Sequence, residues 1–167
     1  MTIGRLNAAD RAAFVAAVGF AFEHSPWIAQ KAWERRPFAG IQDLHDAMLG
    51  VVAAASPQER LALIAAHPDL AGRIAREGRL GESSSREQAS AGLDRLGAEQ
   101  MARFDELNAA YRARFGFPFV VCARAQTADA ILAAMDRRLH NDREAEVDAA
   151  LTEIGKIAYL RLAEAIS

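Results

Sequence analysis

Three residues carry side chains suited to acid–base or anion chemistry at places where the local pattern leaves room for more than packing. His67 is followed by Pro68, which disfavours the α conformation in the residue before it, so an arriving helix must stop there. An imidazole at a forced helix end can project into a cleft, and histidine titrates nearest neutrality, which suits it to proton transfer. The same position suits a capping histidine, because positive charge is mildly favoured at a helix C-terminus. Both roles stay open. Glu87 closes the run Ser84-Ser85-Arg86-Glu87, a capping-box pattern that by itself explains the glutamate. A chemical role would require its carboxylate to face a pocket.

Arg161 stands out by periodicity. Val147, Leu151, Ile154, Ala158 and Ala165 recur at steps of four and three, and Arg161 falls on that apolar stripe. A guanidinium on the core side needs an anionic partner, because an unpaired buried charge is costly. The partner can be a ligand carboxylate or an internal acid; alternatively the side chain snorkels to solvent. The residues alone leave these three possibilities level.

The elements that would position these groups are marked by helix punctuation. Asn7 is placed to cap a helix to about Phe22, and Ser25-Pro26 to open one through Arg36. A third covers about Ile41 to Ala55, with Leu44, Met48, Val51 and Val52 as its apolar stripe. Ser56-Pro57-Gln58-Glu59 opens a helix that stops near His67, and a shorter one is expected from Asp69 to Glu77. Gly78 and Gly81 mark a loop, after which the Ser84 box restarts a helix to about Gly92. Ala98 to Phe115 places Met101, Phe104, Leu107, Tyr111 and Phe115 on one side, with Gly116 as stop. Thr127 caps a helix to about His140, and Asn141 or Asp142 caps the last. Phe117 to Ala123 is the one extended-looking segment, too isolated to build a sheet. The expectation is an all-α single domain over residues 1–167, of about eight helices.

Composition excludes other classes. Twenty basic against 22 acidic residues give a net charge of -2, so no basic surplus points to nucleic acid. No apolar run approaches the roughly 18 to 20 residues of a membrane span. Arg5 and Arg11 before an apolar stretch resemble a signal peptide, but Asp10 interrupts them and Phe14, Val18 and Phe22 keep helical spacing. A cytoplasmic protein is expected. The single cysteine, Cys122, permits no internal disulfide. Its four histidines show no zinc-ligand spacing, and no phosphate loop, nucleophile elbow or dinucleotide fingerprint occurs. Chemistry here would have to proceed without metal or bound cofactor.

Four blocks together carry a resemblance: His67-Pro68-Asp69-Leu70, Ser84-Ser85-Arg86-Glu87-Gln88, Phe117-Pro118-Phe119-Val120-Val121, and Glu153 to Leu162. In this order and at these separations they resemble the 2-oxo-4-hydroxy-4-carboxy-5-ureidoimidazoline (OHCU) decarboxylases, which act last on the route from urate to allantoin. The resemblance covers nearly the whole chain. It implies a cofactor-free carboxy-lyase, usually a homodimer, that makes (S)-allantoin from a small-molecule substrate. By the resemblance His67, Glu87 and Arg161 are catalytic, and substrate binding falls to Pro68, to Ser84, Ser85, Arg86, Glu87 and Gln88, and to Phe119, Val120, Val121, Cys122 and Ala123. Two rival readings remain: a non-catalytic all-α binding module, and a decarboxylase of a related ureido acid.

Overall fold

A computed structural model describes residues 1–72 and 81–167. Nine α-helices occur among the described residues, and no strand does. They are α1 (Ile3–Ala8), α2 (Arg11–Val18), α3 (Trp27–Ala32), α4 (Ile41–Ala54), α5 (Pro57–Ala65), α6 (Glu82–Ser90), α7 (Ala98–Phe115), α8 (Ala128–Arg138) and α9 (Arg143–Ala165). The fold is all-α. The chain divides into two compact units, one of Met1–Ala66 with Ile154–Ser167 and one of His67–Glu153.

In the first unit the expected opening helix is split in two. Thr2 caps α1 through its hydroxyl, and the Asp10 carboxylate accepts from the Ala13 N–H at 2.8 Å to start α2. Asn7 is not a cap. Its side-chain amide instead makes a two-way bond with the backbone of Phe38, at 2.9 and 2.8 Å. Ser25 likewise leaves α3 uncapped, because its hydroxyl donates to the Glu23 carbonyl at 2.9 Å. From α4, Leu44, Met48, Val51 and Val52 enter the core as their spacing predicted, and α4 packs against α3. The Ser56 cap forms as expected, its hydroxyl accepting from Glu59 N–H at 3.1 Å. At about 25 cal/mol per Å² of buried apolar surface, the fully buried Leu6, Phe14, Ile28, Leu44 and Ile64 each contribute roughly 1.5–3 kcal/mol.

The second unit is built around α7, whose predicted apolar face is largely confirmed. Phe104, Leu107, Tyr111 and Phe115 are buried, while Met101 is half-exposed. Gly116, at φ 80, ends the helix; its N–H donates to Arg112 O at 2.8 Å, and the chain leaves in the non-helical segment 117–123. Phe117 and Phe119 then turn back edge-on to the Tyr111 ring, at 5.9 and 5.4 Å.

Glu146, in the first turn of α9, is fully buried. It accepts a hydrogen bond from the Tyr111 hydroxyl and another from Asn141 Nδ2 at 2.9 Å. Arg138 Nε donates to both its oxygens, at 3.3 and 3.0 Å. Burial, and after it the bond to Glu146, push the Tyr111 hydroxyl well above its ordinary range. The folded protein therefore keeps this proton at pH values where the unfolded chain gives it up. Its contribution to stability is complete below pH about 10 and declines as pH rises beyond that. Tyr111→Phe removes the titrating group. Urea unfolding at neutral pH and above about pH 10 should show the wild type's advantage over Tyr111→Phe shrinking at the higher pH. A constant difference would contradict this.

Candidate functional site

Helix α5 ends at Ala65, and His67 follows in a bend with only 6% of its surface exposed. Pro68 and Asp69 are half-buried, and Leu70 and Ala71 are buried. Residues 69–72 form a turn where a helix was expected; the remainder of that expected helix, to Glu77, and the loop at Gly78 lie outside the described residues. Ala71 adopts φ 50, a left-handed conformation that costs a non-glycine residue roughly 1–2 kcal/mol.

Side chains from two helices hold this turn. Gln88 Oε1 accepts from Ala71 N–H at 2.9 Å, and its Nε2 donates to Asp69 O at 3.3 Å. From α7, Asn108 Nδ2 donates to Leu70 O at 2.9 Å, and Arg112 Nε donates to the Asp69 carboxylate at 3.0 and 3.2 Å. Asn108 was not singled out by the sequence, where it reads as one polar residue in an aromatic helix. Its spacing of four from Phe104 is the signal that placed it on the inner face.

Helix α6 begins at Glu82 after Gly81, three residues earlier than the capping box predicted. Ser84 is therefore inside the helix, and Glu87 sits in its middle. The capping explanation for Glu87 is removed. Ser84 and Gln88, one turn apart, are buried and Glu87 beside them is half-buried, whereas Ser85 and Arg86 lie on the exposed side.

In the segment after α7, Phe119, Val120, Val121 and Ala123 are buried and Cys122 is half-buried. The Cys122 N–H donates to Glu153 Oε1 at 3.3 Å, and the Cys122 carbonyl accepts from Gln126 Nε2 at 2.6 Å. The N–H groups of Phe119, Val120, Val121 and Ala123 find no acceptor among the described residues. Buried backbone donors ordinarily have a partner, so this stretch is able to receive one.

Arg161 belongs to the first unit. It is 4% exposed, so snorkelling is ruled out. Its Nη1 donates to Glu23 Oε2 at 2.9 Å and to Phe20 O at 3.3 Å. Of the partners left open for it, an internal acid is present: Glu23, itself largely buried. Ile154 and Ala158 are buried beside it as the stripe predicted, but Val147 and Leu151 are only half-buried. The buried line at the start of α9 runs instead through Glu146 and Ala150. Among the described residues, no three His, Cys, Asp or Glu side chains are grouped to hold a metal ion, and no helix is long and apolar enough to cross a membrane.

Residues 7–163 match the sequence profile of OHCU decarboxylase. The chain belongs to the OHCU decarboxylase family. It is 44% identical over 167 residues to a 2-oxo-4-hydroxy-4-carboxy-5-ureidoimidazoline decarboxylase of Haloferax volcanii, covering all of this chain and 97% of that one. It is 39% identical to the uric acid degradation bifunctional protein PucL of Bacillus subtilis, covering 99% of this chain and 33% of that protein. Among solved structures it is similar to an (S)-allantoin synthase, with a TM-score of 0.80 and 29% identity. The match spans 99% of this chain and 54% of that one.

The turn after His67 gives a direct test of what fixes it. Gln88→Leu strips partners from a buried N–H and a carbonyl and should cost about 1–3 kcal/mol in urea unfolding. Arg112→Met breaks an ion pair whose arginine is 47% exposed, and should cost less than about 1 kcal/mol. Equal losses would mean that the surface pair holds the turn as strongly as the amide does.

Proposed function

We propose that this chain converts OHCU to (S)-allantoin, releasing carbon dioxide, in the degradation of urate. The observation that carries the reading is the family match over residues 7–163, a range that contains His67, Glu87 and Arg161. On this reading residues 1–167 act as one decarboxylase domain, a carboxy-lyase that needs no cofactor, works as a homodimer in the cytoplasm and acts on a small molecule rather than on nucleic acid or membrane.

The substrate carries a carboxylate and a hydroxyl on one ring carbon, next to a ring C=N bond. When the C–C bond to the carboxylate breaks, its electron pair moves toward that C=N bond, which is the electron sink. An enol-like species results. The ureido-bearing carbon must then take a proton from one face while the hydroxyl oxygen becomes a carbonyl. Nothing in this sequence requires an external electron carrier.

Arg161, fixed by Glu23, is the proposed anchor for an anionic group of the substrate. His67 handles the proton, and its burial beside Pro68 keeps competing water away. Glu87, no longer explained as a cap, sets the charge state of that histidine or orients the substrate. Pro68 and the Ser84 to Gln88 stretch complete the binding surface, with Ser84, Glu87 and Gln88 on the inner face of α6 as its better candidates. The N–H groups of Phe119, Val120, Val121 and Ala123 are suited to the substrate's ring and ureido oxygens.

General acid–base catalysis typically contributes about 10²- to 10⁴-fold, so His67→Asn should lower the turnover of freshly generated OHCU by at least about 10² above the uncatalysed decay. The comparison must be made on protein shown to be folded by its helical circular dichroism. Near-normal turnover in His67→Asn would remove the histidine from the mechanism. Absence of turnover in the wild type as well would return the chain to the binding-module reading.

A further inference from the structure

Among the described residues the segment 117–123 has neither a helical ladder nor a strand partner, so side chains determine where its backbone runs. Arg138 is one of these, with 15% of its side chain exposed. Its Nη1 donates to Val120 O at 2.8 Å, and its guanidinium carbon lies 4.4 Å from the centre of the Phe119 ring. Both contacts fall on the first two residues of the stretch 119–123. The other end of the guanidinium is committed to Glu146: Nε bonds both carboxylate oxygens, and Nη2 lies 3.0 Å from Oε2.

We propose that Arg138, immobilised by Glu146, is a positioning residue that sets the path of residues 119–123 and so determines how tightly, and in which orientation, the substrate is held. This rests on the function proposed above. A planar cation is needed here because one face must stack on Phe119 while its edge serves the carboxylate and the Val120 carbonyl together. A lysine ammonium has no such plane. A purely structural ion pair would not explain the arrangement, since a buried pair is often no more stabilising than apolar side chains of the same volume. What the pair adds is direction, and Val120 receives it.

The test uses the full chain with Arg138→Met and Arg138→Lys, each verified as helical. OHCU turnover yields kcat and KM, the enantiomeric composition of the allantoin is read separately, and hydrogen exchange follows the amides of residues 119–123. In Arg138→Met, kcat/KM should fall about tenfold or more, mainly through KM, with loss of (S) excess and a rise in exchange that is largest in that segment. Arg138→Lys, keeping the charge but not the plane, should restore only part of each. If both variants fold and retain KM, (S) excess and exchange rates within about twofold of wild type, the proposal is overturned. Should Arg138→Met fail to fold, Arg138→Lys alone decides by the same measures. If the wild type does not act on OHCU, the function has failed rather than the positioning. Exchange then decides alone: unchanged protection in the variants would overturn the role of Arg138.

Discussion

A carboxylate with no exposure to solvent must find its hydrogen-bond donors and its counter-charge inside the protein, and Glu146 finds them in Tyr111, Asn141 and Arg138. The donors come from α7, from the residues just before α9, and from the last turn of α8. Losing one partner of such a cluster typically costs about 3–5 kcal/mol, because the rest is left charged and dry. That penalty makes the arrangement nearly all-or-none. Phe119 and Val120 inherit their positions from it, through the Tyr111 ring on one side and the guanidinium on the other.

The turn that follows His67 obeys the same logic with neutral groups. Gln88 and Asn108 spend their amides on the backbone of residues 69–71, and an alanine is held in a left-handed conformation that it would not choose alone. In an all-α fold the backbone outside the helices has no ladder to join. The pieces of chain with backbone available to a ligand are therefore also the pieces that only side chains can fix. Stability and site geometry are set by the same few polar contacts.

Much of this was legible in the sequence, and what was not has identifiable causes. The stop at His67 followed from Pro68, and the core side of Arg161 followed from its place among Ile154 and Ala158, because both rules are local. The resemblance carried the functional reading further than the residues alone. Glu146 was passed over: in the first turn of a helix an acidic side chain is favoured by the helix dipole and reads as solvated. Its burial depends on Tyr111, 35 residues away, a tertiary fact. The spacing Glu146, Ala150, Ile154, Ile157, Arg161 was the available signal, and the competing stripe through Val147 and Leu151 masked it. The Ser84 box misled for another reason. The helix starts directly after Gly81, which puts Ser84 inside it as a buried residue and not as its cap.

The measurement that bears most directly on the account is circular dichroism followed during the decay of freshly generated OHCU, with and without the protein. Uncatalysed decay gives racemic allantoin and no lasting signal. The account predicts that the protein makes a stable signal of one sign, that of the S enantiomer, rise faster than the blank decays. A trace that overlays the blank would contradict it.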